Sequence, residues 1–346
     1  MNSNGKPLIG IAYNLFLPTA LKPEELVSEE TVEQMAQEAY EAVLSLDYPA
    51  VLIPLKESFS GFLRRIQEVK PQVIVNLCES FGDKSEYEAN IAAAYELLGI
   101  AFTGNGSRAL TLCQDKFQAK SILSAHGLPT PKARLVSVVD QVVGLRFPLI
   151  VKPNAEDASL GVRPNSVVRD GKSLRERIQK ILDIYKEPAI VEEYIEGREF
   201  NVAVMDGEEP QALPVSEIDF SAMPPGLPKI VSYEAKWFED NELYLKTPPV
   251  CPARIDHGLR TRLQDCAVQA FRVMGCRDYV RVDFRMNEHD EIFILEVNPN
   301  PDISLNAGYV RALNASGLDY PGFWGRMIDN ALRRNTSHGA AYEKVR

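Results

Sequence analysis

The chain has 346 residues, 45% hydrophobic and 25% charged, and its 48 acidic side chains outnumber 38 basic ones for a net charge of −10. At roughly 100–200 residues per domain this length predicts two or three domains, and the apolar content excludes a disordered chain. No apolar run approaches the ~20 residues that cross a bilayer, and the acidic balance is uncompensated by any basic-aromatic cluster, so no membrane or nucleic-acid partner is expected.

The N-terminus MNSNGKPLIGIAYN has no basic stretch ahead of an apolar core, which makes the cytoplasm the expected compartment. PLIGIAY, AVLIPL and VIVNL alternate with helical periods from about Thr31, near Phe62 and from Tyr87, predicting a parallel sheet that IAFTG closes near residue 100. In the first helix Val32, Met35, Ala36, Ala39, Tyr40, Val43 and Leu44 form one apolar stripe. After a helix from about Ser107, GLPTPKARLV opens a section of strands, FPLIV, NSVV, AIVEEY and FNVAVM, around the helix LRERIQKILDIY. Next come TPPVCPA, a helix with Leu259, Leu263, Ala267, Ala270, Phe271 and Met274 inward, a hairpin, and the helix FWGRMIDNAL, with fraying expected past Arg334.

Cys78, Cys113, Cys251, Cys266 and Cys276 are odd in number and unpaired in spacing, so buried thiols are expected rather than disulfides or a zinc site. His126, His257, His289 and His338 lack metal-ligand spacing and read as surface residues. Gly171-Lys172-Ser173 resembles the tail of a P-loop, but Ser166 stands where its first glycine belongs. GNGSRA after Thr103 lacks the acidic residue that a dinucleotide site needs, which weighs against a dehydrogenase.

YVRVDFRMNEHDEIFILEVNPN (279–300) reads as two alternating strands around a polar turn. Strict alternation places Val280, Val282 and Phe284 with Phe293, Leu295 and Val297 in the core. Arg281, Asp283 and Arg285 then face the other way with Ile292, Ile294 and Glu296, Asn298 lying beyond. With Met286 and Glu291 flanking the turn, Asp283 and Glu296 become diagonal neighbours. Two carboxylates and an amide oxygen suit Mg²⁺, which takes few protein ligands and leaves room for phosphate oxygens. The same residues also allow a solvated face with an Arg281–Glu296 ion pair. Lys152 ends an apolar strand beside the loop NAEDASLGV, a placement that suits phosphate, while Glu192, Glu193 and Glu199 near a strand exit could hold an amino group or ribose hydroxyls.

In this order the segments resemble the ATP-grasp superfamily, most closely the D-alanine–D-alanine ligases. The resemblance runs from VIVNLCESFG (73–82) to the C-terminus through QDKFQAK, FPLIVKPNAEDASLGV, IVEEYIEGREFNVAV, YEAKW and RVDFRMNEHDEIFILEVNPNPDIS. It implies an α/β fold, α+β in its ATP-grasp part: a Rossmann-like N-terminal domain (1–115), a central ATP-grasp subdomain (116–198) and a C-terminal subdomain carrying the metal site (199–346). It also implies an ADP-forming ligase in which ATP phosphorylates a carboxylate and an amine attacks the acyl phosphate. By the same resemblance Lys116 and Lys152 contact the ATP phosphates, Glu192, Glu193, Tyr194 and Ile195 hold adenine, Glu199 the ribose, and Lys236 the γ-phosphate. Asp283, Glu296 and Asn298 bind two Mg²⁺ ions, with Mn²⁺ as a substitute, and Arg281 stabilises the tetrahedral oxyanion, with Ser159 and Lys236 completing the catalytic set. A homodimer is the implied assembly.

The departures from the family gather at the substrates. Ala158 replaces the first of two serines, Trp237 replaces a tyrosine, and Pro299-Asn300-Pro301-Asp302-Ile303-Ser304 replaces Thr-x-Pro-Gly-Met-Thr. Ala307 stands near the serine that grips the second substrate's carboxylate, and NLFLPTALKPEEL offers no counterpart to the glutamate that binds the first substrate's amine. The expectation is a ligase of this type acting on small carboxylate and amine substrates other than two D-alanines. The alternatives are an authentic D-alanine–D-alanine ligase of cell-wall precursor synthesis and a catalytically silent ATP-binding module.

Overall fold

Runs of β-branched residues build three successive sheets. The first is parallel, ordered β2-β1-β3, from β1 (Ile9–Asn14), β2 (Ala50–Leu55) and β3 (Val73–Leu77). The computed structural model describes residues 5–15, 26–56, 58–82, 84–141, 143–157, 159–238 and 240–342. Helices α1 (Leu26–Ser45), α2 (Phe59–Val69) and α3 (Glu88–Leu98) carry the crossovers. They cover the sheet, which is why its strands read as unbroken apolar runs. The expected fourth strand is reduced to a single parallel bridge, Ile74 to Phe102, because Gly104 (φ +85°) turns the chain toward α4 (Ser107–Gln114). Helix α1 starts ahead of Thr31; Val32, Met35, Ala36, Ala39 and Val43 are buried, whereas Leu44, at the rim of the stripe, is 42% exposed.

After α5 (Lys116–Ala125), the second sheet is antiparallel, ordered β4-β7-β5-β6, from β4 (Ala133–Val136), β5 (Leu149–Pro153), β6 (Val167–Val168) and β7 (Ala189–Glu193). Helix α6 (Gly171–Tyr185) backs it and is N-capped by Asp170, whose carboxylate accepts from the backbone of Lys172 and Ser173. The third sheet is ordered β11-β10-β8-β12-β13, from β8 (Arg198–Met205), β10 (Ser216–Ile218), β11 (Pro249–Val250), β12 (Tyr279–Met286) and β13 (Ile292–Asn298), with β9 (Gln211–Ala212) paired to β8. Short helices α7 (Tyr233–Trp237) and α8 (Glu242–Leu245) lie between β10 and β11, and α9 (His257–Val273) buries its predicted apolar face against the sheet. Helices α10 (Gly308–Ala315) and α11 (Tyr320–Tyr342) follow, and α11 stays helical well past Arg334, where fraying was expected.

The hairpin departs from simple alternation. Arg281 pairs with Asn298, Val282 with Val297 and Asp283 with Glu296, but Phe284 pairs with Ile294, leaving Leu295 as a β-bulge. The extra residue shifts the strand's phase, so Ile294 and Val297 are buried while Phe293 and Leu295 are not, and the two acids stand directly opposite rather than diagonal. Cys78, Cys113 and Cys266 are buried as expected, but Cys251 and Cys276 are partly exposed. His126, His257 and His289 are exposed, and the His338 side chain lies outside those described. Among the described residues no helix is long and apolar enough to cross a membrane.

Asp278 knots the sheets together. Fully buried, it accepts hydrogen bonds from Gly104 N (2.8 Å), Asn330 Nδ2 (3.2 Å) and both terminal nitrogens of Arg334 (2.6 and 2.8 Å). Asp278→Asn keeps a residue that tolerates the left-handed backbone there but discards the charge. We expect it to cost about 3 kcal/mol, read as a lower urea midpoint, because the Arg334 guanidinium loses its counter-charge.

Candidate active site

The bulged hairpin forms one wall of a cavity of about 730 Å³ that opens between the second and third sheets. Every residue singled out for chemistry lines it: Lys116, Lys152, Ser159, the run Glu192 to Ile195, Glu199, Lys236, Arg281, Asp283, Glu296 and Asn298.

Arg281 grips Asp283 through two parallel bonds, Nε to Oδ1 and Nη2 to Oδ2, both 2.8 Å, and Asn298 Nδ2 donates to Asp283 Oδ2 at 3.0 Å. Burial raises the Asp283 pKa, and Arg281 opposes the shift. Burial works against ionised Glu296 too, but Lys116, Lys152, Arg281 and a hydrogen bond from Asn298 outweigh it and hold the carboxyl down to about 2. Glu296 is therefore a carboxylate at any working pH. Among the described residues no three His, Cys, Asp or Glu side chains gather as a metal site; the donor set here is two carboxylates and an amide, all hard oxygens, which fits Mg²⁺.

The lysines come from separate elements. Lys116, at the start of α5, donates to Glu156 O (2.6 Å) and Asp157 Oδ1 (2.9 Å), contacts that keep it protonated although burial opposes the charge. Lys152 and Lys120 both face Glu192 Oε1, at 3.4 and 3.5 Å, and Glu192 is 1% exposed. The Glu192 carboxylate thus braces two lysines. Lys120 also donates to the carbonyl of Leu295 at 2.7 Å, and burial pushes its pKa down to about 8. Burial, with repulsion from Arg281, lowers Lys236, which sits 4.9 Å from the Trp237 ring centre. Ser159 adopts φ +62° and donates to Val231 O at 3.2 Å.

Glu199 pairs with Arg285 at 2.9 Å, and Arg285 stands 5.7 Å from the Tyr194 ring centre and 5.2 Å from that of Phe220. Sequence reasoning put Arg285 on the polar face without a role, and missed Lys120 and Asn201, which lines the cavity opposite Asp283. Alternation along FNVAVM after Glu199 signals Asn201; nothing local signals Lys120, whose partners lie far away in the chain. Ile150, Tyr194, Ile218, Ile230 and Leu295 give the cavity apolar walls. Asp302, Ser304, Asn306, Ala307 and Arg311 line the same cavity. Two of the departures, Ala158 and most of NLFLPTALKPEEL, lie outside the described residues.

The model of the D-ala D-ala ligase C-terminus matches residues 125–329, which hold most of this cavity. The chain belongs to the D-alanine–D-alanine ligase family. The D-alanine–D-alanine ligase of Bordetella avium is 31% identical over 72% of the chain and 74% of its own length. An uncharacterized protein of Sinorhizobium fredii, y4sG, is 33% identical over 82% of the chain and 84% of its own. The fold is similar to that of the D-alanine–D-alanine ligase of Bacillus anthracis complexed with ATP, with a TM-score of 0.74, 19% identity and coverage of 96% of this chain and 99% of that one. The ATP-grasp fold and the carbon–nitrogen ligase class expected from the sequence both hold for this family member.

Proposed function

We propose that the chain is an ATP- and Mg²⁺-dependent, ADP-forming ligase that joins a carboxylate to an amine through an acyl phosphate, with a substrate pocket altered from that of D-alanine–D-alanine ligases. The observation that carries this reading is the convergence at one cavity of Lys116, Lys152 and Lys236 with Asp283, Glu296 and Asn298. Such an arrangement neutralises a transferring phosphoryl group, the main task in this chemistry. Asp283, Glu296 and Asn298 would hold the metal, which when bound supplies charge neutralisation at the phosphates. Glu193, Tyr194 and Ile195 receive the base, Glu199 the ribose, and Lys116 and Lys152, braced by Glu192, orient the phosphates. Arg281, fixed by Asp283, offers a preorganised cation where the oxyanion develops, and Ser159 and Lys236 complete the catalytic set.

The division into 1–115, 116–198 and 199–346 belongs to this reading. Two metal ions, Mn²⁺ as a substitute and a homodimer rest on the family likeness alone. The second reading, an authentic D-alanine–D-alanine ligase, is favoured by the printed names of relatives near 30% identity. An ADP-release screen over amino acids, dipeptides and other carboxylate/amine pairs separates the two: robust turnover with D-alanine alone selects the second. Failure to bind ATP with Mg²⁺ in calorimetry sinks both.

The stretch from Lys236 to Cys251 bears Tyr244, Leu245 and Thr247 on the cavity, and we read it as a lid over the phosphates. Tryptic cleavage at Lys246 is expected to slow several-fold when ATP and Mg²⁺ are added. An unchanged rate counts against closure.

A further inference from the structure

The geometry points to Asp302 as the general base that takes the proton from the attacking amine; this rests on the ligase reading above. An amine arrives as an ammonium ion, whose nitrogen has no lone pair to give, so a proton acceptor must stand beside the acyl carbon. Asp302 lines the cavity together with Lys236 and with Arg281, the proposed oxyanion partner. Other carboxylates there are already engaged: Asp157, Glu199 and Asp283 each close an ion pair at 2.8–2.9 Å, and Glu192 braces two lysines. Asp302 closes none among the described residues. Its Oδ1 accepts from Ser304 N at 2.9 Å, while Oδ2 accepts no hydrogen bond and is not buried.

The groups whose charge meets that of Asp302 are Lys236 from α7, Arg281 from β12, Arg311 from α10 and the Tyr320 phenol from α11. Arginines hold their protons throughout, and Lys236 serves the phosphate in this reading, which leaves Asp302 as the acceptor. The segment that carries it is braced by the helices of the first sheet. Asn300 Nδ2 donates to Glu88 Oε1 on α3 at 2.7 Å, Leu305 N donates to Glu38 Oε2 on α1 at 2.9 Å, and Pro299 and Pro301 fix their own φ. Asp302 also stands where the resembling motif has glycine, so this base is a feature of the chain itself. In the step, the ammonium passes one proton to Asp302 Oδ2 and on to solvent. The freed lone pair forms the C–N bond and pushes the carbonyl pair onto oxygen beside Arg281. That pair returns as the C–O bond to phosphate breaks, and the second nitrogen proton leaves with the phosphate.

The test uses the full chain and the carboxylate of the best pair in the ADP-release screen. It is offered with that pair's amine or with hydroxylamine, which is already unprotonated at neutral pH and traps the acyl phosphate as a hydroxamate. In Asp302→Asn the ratio of amide to hydroxamate formation should fall about 100-fold, the low end of what general-base catalysis supplies. Amide formation by that variant should then climb about tenfold per pH unit as the amine loses its proton in solution. Asp302→Glu, which restores a carboxylate, should recover part of the ratio and guards against a misfolded Asn variant. A ratio that stays at the wild-type value in Asp302→Asn, whether both products persist or fall together, overturns the assignment of Asp302 alone. No ADP release by the wild type with any pair or with hydroxylamine overturns the ligase reading and this inference with it.

Discussion

Glu296→Gln is expected to lower ADP formation by about 1,000-fold or more while leaving the fold intact. The substitution preserves shape and keeps one oxygen in place, but it removes the anion that Lys116, Lys152 and Arg281 together hold ionised. Three cations then face one another across the cavity with Asp283 as the remaining acid of the pair, and the proposed metal loses a charged ligand. ATP·Mg²⁺ affinity by calorimetry should fall with turnover. Wild-type turnover in this variant overturns the hairpin metal site.

The second large effect is expected at Arg281. Arg281→Lys keeps a positive charge but cannot make the bidentate contact with Asp283. A cation that is no longer held in place stabilises a developing oxyanion poorly, so kcat should drop by about 100-fold. The KM for ATP should change less than kcat, since the proposed base and ribose contacts, Glu193 to Ile195 and Glu199, lie off β12. A rise in that KM with kcat preserved would assign Arg281 to ground-state nucleotide binding instead.

How much of this was legible beforehand depended on the range of the interaction. The parallel N-terminal sheet, the α9 face and the hairpin strands follow from short-range periodicity, and all appear. The phase of β13 does not, because a bulge is set by what packs on the two strands, and strict alternation has no place for an extra residue. Lys120 and Arg285 escaped for a related reason: each is recognisable only by partners far off in the chain, Glu192 and Leu295 for one, Glu199 for the other. The N-terminus of α10 and the lid helices are short and weakly periodic, so they surface only once the third sheet positions them.

Leu295 gives the hairpin a second task. Released from regular pairing, it offers its carbonyl to Lys120, and through the shared carboxylate of Glu192 that bond reaches Lys152. One irregular residue is therefore a joint between two charge systems, the acids on β12 and β13 and the lysines on α5 and β5. A hairpin without the bulge would set the acids on the diagonal and take the Leu295 carbonyl back into the ladder, away from Lys120.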